Sequence, residues 1–147
     1  LQMKLLTQRV RSASVKVENK IVGEIQQGVL VFLGIHATDT KEKCERLAEK
    51  LVHLRQFNDE HGKMNLSVKD IGGKILVVSQ FTLYADCSKG RRPSFIDSAA
   101  PEYAIPLYEY FLTLIKQKLG SVEAGIFGAK MEVNLLNDGP VTFIIEH

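Results

Sequence analysis

A chain of 147 residues is the size of one ordinary domain, and 45% hydrophobic with 24% charged residues is the composition of a globular protein with its own core. A formal net charge of +2 is too small to argue for a nucleic-acid partner by itself, so such a partner would have to be met by a local basic patch. Two cysteines, Cys44 and Cys87, cannot make a disulfide framework, and no apolar run approaches the ~20 residues of a membrane-spanning helix, so a reduced, cytoplasmic protein with no membrane partner is expected.

Leu1 and Gln2 read as additions ahead of a native Met3, and one domain is expected over residues 3–147. Lys4–Val10 and Ser14–Val17 are short and rich in apolar and β-branched residues, which predicts two strands. Glu18-Asn19-Lys20 is a turn, and Lys20–Ile25 is a third strand. After Gln26-Gln27-Gly28, the continuous apolar run Val29–Ile35 suits a strand buried on both faces. Asp39 and Glu42 stand in capping-box spacing ahead of a helix whose Cys44, Leu47, Ala48, Leu51 and Leu54 form one apolar stripe.

The segment Asn58-Asp59-Glu60-His61-Gly62-Lys63 is a polar turn, and Gly72-Gly73 is another. Lys74–Leu83 reads as a buried strand whose end turns polar at Ser79-Gln80, followed by a loop from Tyr84 to about Ala100. A second helix is predicted from Pro101 to Leu119, with Pro101 at its first position, Gly120 as its stop, and Tyr103, Leu107, Tyr110, Phe111, Leu114 and Lys118 on one face. Pro106 is tolerable there only if it falls in the first turns. Met131–Leu136 and Val141–Ile145 are β-prone and flank Asn137-Asp138-Gly139-Pro140. Strands at both ends and in the middle, with two main helices between, predict an α+β fold: a single compact domain on a mixed or antiparallel sheet.

Chemistry is harder to read. His36, His53, His61 and His147 are far apart in the chain and none has a second ligand at metal spacing, so no metal is expected. Glycine-rich nucleotide loops and the G-x-S-x-G elbow are absent. Ser79 and Thr82 stand at a strand end with no His or Asp partner in view, and Cys87 has no His. Lys89-Gly90-Arg91-Arg92 is either a charged loop tip or a clamp for phosphates of an RNA end. Asp138-Gly139 alone would make a tight hairpin, but Pro140 removes a backbone donor where pairing should resume. That leaves a slightly longer turn or a rigid backbone corner.

Taken together, Gln8-Arg9-Val10, Ala13-Ser14-Val15, Gly62-Lys63-Met64-Asn65, Ser79-Gln80-Phe81-Thr82-Leu83, Arg92-Pro93-Ser94-Phe95 and Asn137-Asp138-Gly139-Pro140-Val141-Thr142 resemble the D-aminoacyl-tRNA deacylase family. The likeness runs over essentially the whole chain from Met3. It implies a barrel-like α+β domain that forms a homodimer with its active site across the subunit interface, and no cofactor. It further implies that Gly139 and Pro140, joined by a cis bond and braced by Arg9, bind substrate as a chirality filter that enters the partner's pocket. Ser79, Gln80, Phe81 and Thr82 would line that pocket, with Lys89, Arg91 and Arg92 toward the tRNA. The implied reaction is hydrolysis of the ester of D-aminoacyl-tRNA, and of glycine mischarged on tRNA, with L-aminoacyl-tRNA rejected. An RNA-binding module without catalysis, or a hydrolase of small esters or D-aminoacyl peptides, would use the same basic loop or strand end differently.

Overall fold

The two strands expected at the start are one. The computed structural model describes residues 3–147, so the reading of Leu1 and Gln2 lies outside the described residues. Within them β1 (Lys4–Val17) runs unbroken for 14 residues. Arg11, Ser12 and Ala13 look like a break in β propensity, but partners decide the matter. β2 (Lys20–Ile25) and β3 (Gly28–Gly34) both pair antiparallel with β1, β3 along its first half and β2 along its second. β8 (Glu132–Glu146) pairs along nearly its whole other edge. Pairing on both sides overrides weak local preference.

The remaining strands continue the sheet beyond β3. β6 (Lys74–Ser79) pairs parallel with β3, and the two-residue β7 (Glu123–Ala124) pairs parallel with β6. The sheet is therefore mixed, in the order β2-β1-β3-β6-β7 with β8 added on β1. Its two ends curl toward one another, as a barrel would. A Cβ on Gly23 of β2 would fall 2.6 Å from the Ala124 carbonyl oxygen of β7, so only glycine lets them approach this closely.

One face carries the main core. Leu5, Val29, Val31 and Leu33 pack there under two helices, α1 (Lys41–His53) and α2 (Pro101–Leu119). The other face holds a second cluster around Val10, Val15, Leu30, Leu76 and Val78. β3 thus buries both faces, as its continuous apolar run predicts.

Two details of the helices differ from expectation. Thr40, not Asp39, caps α1: its hydroxyl accepts from the Lys43 N–H at 3.4 Å. Asp39 is fully buried and serves the preceding turn instead, accepting from the His36 N–H at 2.6 Å and pairing with Lys43 at 3.4 Å. Burial is the first cause of its raised pKa, against the lowering effect of those partners. In α2 the buried face is Ala104, Leu107, Tyr108, Phe111, Leu114 and Ile115, so Tyr103 and Lys118 stand on the rim rather than in the stripe. There the Lys118 ammonium meets Glu49 at 2.6 Å, and the Tyr103 hydroxyl donates to the Asp39 carbonyl. Pro106 lies inside α2 at an exposed position, and Gly120 ends the helix at φ +91°, as a left-handed cap should.

A hairpin stands apart from the main sheet. Among the described residues β4 (Arg55–Asn58) and β5 (Met64–Ser67) pair only with each other, and the polar turn between them falls where the sequence predicts it.

Candidate active site

The expected strand Lys74–Leu83 is shorter than its apolar run. Regular pairing ends at Ser79, and Gln80 makes a last bond, its N–H donating to the Leu33 carbonyl at 2.8 Å. Phe81–Tyr84 then form a 3₁₀ turn, closed by Leu83 N–H to Gln80 O at 3.2 Å and Ala85 N–H to Thr82 O at 3.0 Å. Phe81 and Thr82 open that turn, where the first N–H groups have no carbonyl within it to reach.

A pocket of about 270 Å³ lies beside the strand end, and Ser79, Gln80 and Phe81 line it. Phe127 and Met131 line it too, two residues that no spacing in the sequence singles out. Both are held from behind. Phe127 packs edge-on against Tyr108 with ring centres 5.5 Å apart, and the Met131 sulfur sits where a Cβ on Gly125 would lie, 2.5 Å away. Phe81 is 56% exposed, and its ring packs edge-on against Phe95 at 5.0 Å.

Thr82 stands just outside this pocket with its side chain exposed. Its hydroxyl oxygen accepts from the Gln80 side-chain amide. Among the described residues no imidazole or carboxylate is hydrogen-bonded to Ser79 or Thr82. A donor amide on an alcohol oxygen is the opposite of a base, so the geometry does not raise the hydroxyl's nucleophilicity.

The second segment is a corner in β8. Asn137 pairs with Val10 and Thr142 pairs with Gln8, so residues 138–141 are looped out opposite Arg9 alone. Asn137 closes the neck, its amide donating to the Arg9 carbonyl at 2.8 Å and the Val141 carbonyl at 3.1 Å. Arg9 fills the space behind. Its side chain is buried; Nε donates to the Asp138 carbonyl at 3.0 Å and lies 3.5 Å from the Asp138 carboxylate. Nη1 donates to the Gln56 carbonyl at 3.0 Å and the Asn58 side-chain oxygen at 3.4 Å. Gly139 has φ +137°, its bond to Pro140 is cis, and both residues are exposed. Neither Gly139 nor Pro140 lines the pocket at Ser79–Phe81. Arg9 and the corner are thus brought together, whereas the corner and the strand end are not.

The basic loop lies on the strand-end side. Asp86 and Ser94 exchange backbone bonds of 2.7 and 2.9 Å, presenting Lys89, Gly90, Arg91 and Arg92 as an exposed tip. Among the described residues none of the three cations is ion-paired. Phe95, just beyond the tip, packs on Phe81 and so ties the loop to the pocket. No group of three or more His, Cys, Asp or Glu among the described residues could hold a metal ion.

The chain is similar to known proteins over nearly its whole length. A family model described as D-Tyr-tRNA(Tyr) deacylase matches residues 6–146. The D-aminoacyl-tRNA deacylase of Thermosipho africanus is 54% identical over 144 residues, covering 98% of this chain and 97% of that protein. That of Brevibacillus brevis is 55% identical over 144 residues, covering 98% and 99%. Among solved structures, one titled c-Myc DNA unwinding element binding protein superposes with a TM-score of 0.93 at 39% identity over 98% of each chain. Another, of a probable eukaryotic D-amino acid tRNA deacylase, shares the fold with a TM-score of 0.90 at 18% identity over 100% of each chain.

Proposed function

The chain belongs to the D-Tyr-tRNA(Tyr) deacylase family and is a hydrolase of D-aminoacyl-tRNA, and from that premise we propose that it edits tRNA at a site built from two subunits. One contributes the strand end Ser79–Thr82, the other the corner at Gly139–Pro140. The observation that carries this reading is that Phe81, Thr82, Gly139 and Pro140 are all exposed in one chain, and the corner does not line the pocket it should guard. A second copy supplies what one copy lacks. Among the described residues β8 pairs only with β1, and Leu136 and Ile144 leave 55% and 66% of their surface exposed on it. An apolar free edge of this kind favours a homodimer.

The division of labour follows from what each part can do. An editing enzyme must accept many side chains and still reject every L-amino acid. A side-chain pocket discriminates weakly, by about 1–3 kcal/mol per methylene. A fixed backbone corner instead senses the direction in which the substituent leaves Cα. The filter therefore acts by excluding L-substrates, and glycine, with no side chain to clash, passes. Glycine mischarged on tRNA is accordingly a second substrate. Ser79, Gln80 and Phe81 hold the terminal adenosine and ester, and Lys89, Arg91 and Arg92 meet nearby phosphates. The chain works in the cytoplasm with its substrate.

Hydrolysis itself needs a placed water and an acceptor site for the developing oxyanion. Water adds to the ester carbonyl, the C–O bond to the ribose breaks, and the ribose oxygen takes a proton. Backbone N–H groups at Phe81 and Thr82 stabilise the oxyanion, each such donor being worth about 2.7–4 kcal/mol. The 2′-hydroxyl of the terminal ribose orients the water, a role that leaves Thr82 without a covalent part. Incubation with D-Tyr-tRNA, L-Tyr-tRNA and Gly-tRNA tests the reading. D-Tyr-tRNA and Gly-tRNA are expected to lose their amino acid while L-Tyr-tRNA stays charged. Equal release from D- and L-Tyr-tRNA would remove the filter.

A further inference from the structure

The Gly62-Lys63-Met64-Asn65 segment belongs to the β4–β5 hairpin. That hairpin is the second support of Arg9. The guanidinium is held on one side by the Asp138 carbonyl and on the other by β4 alone, through Gln56 O at 3.0 Å and Asn58 Oδ1 at 3.4 Å. The Gln56 contact is to backbone and survives any side chain at that position. The Asn58 contact depends on the side chain.

Where Asn58 sits is decided by the turn next to it. Among the described residues β4 pairs only with β5, so the main sheet does not hold it. Asn58 lies opposite Met64, and the Asp59 N–H donates to the Lys63 carbonyl at 2.8 Å. The Asp59 carboxylate then gathers three donors: the His61 N–H at 2.8 Å, the Lys63 N–H at 3.0 Å and the Asn65 amide at 2.9 Å. Gly62 takes φ +76°, which lets the chain reverse within that short span. Every residue of the segment except Met64 thus contributes a bond or a backbone conformation to the turn.

We propose that Asn58, set in place by the Asp59-centred turn, is a positioning residue for chirality selection: it fixes Arg9, and Arg9 fixes the Asp138 carbonyl and the adjoining Gly139. This rests on reading the Gly139–Pro140 corner as the filter. A Cβ on Gly139 would come within 3.1 Å of Arg9 Nη2, so a guanidinium free to swing would release the corner it backs. Asn58 does not touch substrate in this arrangement, and it acts through geometry alone.

The test is the ratio of D-Tyr-tRNA to L-Tyr-tRNA hydrolysis, measured for the full-length protein, for Asn58→Ala, for Asn58→Asp and for Asp59→Ala. Asn58 is exposed, so its substitution leaves the core intact. The ratio is expected to fall by about tenfold in Asn58→Ala and in Asp59→Ala, and to be restored in Asn58→Asp, which keeps an acceptor for Arg9. A general loss of structure would lower both rates together and leave the ratio unmoved. An unchanged ratio in both alanine variants, or a fall in Asn58→Asp equal to that in Asn58→Ala, would overturn the positioning role. A wild-type protein that hydrolyses both substrates alike would overturn the filter reading on which the role depends, and the two failures are told apart by that control.

Discussion

Replacing Gly139 with alanine is expected to slow hydrolysis of D-aminoacyl-tRNA by about a hundredfold, the typical cost of moving a positioning element by roughly 1 Å. The added Cβ would lie 2.8 Å from Val141 Cγ2, 3.0 Å from the Val141 nitrogen and 3.1 Å from Arg9 Nη2. The first is shorter than a methyl group tolerates, and the other two are tight enough that the neighbour must give by a few tenths of an ångström. At φ +137° an L-residue is also strained whatever the space around it, at a cost of roughly 1–3 kcal/mol. Something must shift, and the candidates are not equal. Arg9 is held by the Asp138 and Gln56 carbonyls at 3.0 Å each and by Asn58, whereas the corner itself is exposed. The corner therefore moves. Single-turnover hydrolysis of D-Tyr-tRNA measures the effect, and a rate within about threefold of wild type would show that the corner's position does not matter to the chemistry.

The second large effect concerns the substrate rather than the protein. D-aminoacyl-tRNA with a 2′-deoxy terminal ribose is expected to react about 10²- to 10⁴-fold more slowly, the usual worth of a positioned acid–base group. Thr82→Ala is expected to stay within a few-fold of wild type. Both expectations come from the same contact. The Thr82 oxygen accepts from the Gln80 amide, and among the described residues no imidazole or carboxylate is bonded to it. A hydroxyl so placed has no imidazole or carboxylate among the described residues to take its proton. A substrate hydroxyl next to the ester carries out that role without any protein base. Normal cleavage of the deoxy substrate, or loss of activity in Thr82→Ala with folding intact, would return the chemistry to the protein.

Periodicity made the scaffold legible. The stripe of Cys44, Leu47, Ala48 and Leu51 in α1 and the doubly buried β3 are where the sequence puts them, because burial on that scale leaves a pattern in residue type. What lay hidden was held by partners distant in the chain. β1 is continuous because β8 and β2 pair across its polar middle. The β4–β5 hairpin hid behind a polar composition, with Gln56 buried beside Phe57. Asp39 and Thr40 are both good cap residues, and only the buried His36 turn decides between them.

The site was less legible than the fold. Arg9, Asp138 and Gln56 are far apart in sequence, so no spacing could join them, and only the family likeness pointed to Arg9. Phe127 and Met131 carry no motif of their own and enter the pocket because Tyr108 and Gly125 shape the wall behind them. The polar strand end at Ser79-Gln80 was visible as a feature, but its chemistry was not, since the groups proposed to act there are largely backbone.

If one working site takes its corner from one subunit and its pocket from the other, two differently impaired chains repair each other in a mixed dimer. Subunit complementation tests it most directly. A corner variant, Gly139→Ala, and a pocket variant, Gln80→Ala, each first shown to be strongly impaired alone, are denatured together, refolded and assayed on D-Tyr-tRNA. Recovery of about a quarter of the wild-type rate is expected, because about half of randomly assorted dimers are mixed and each then holds one site free of both changes. Mixtures that stay as inactive as their parents, with mixed dimers verified by mass, would contradict it and place the whole site within a single chain.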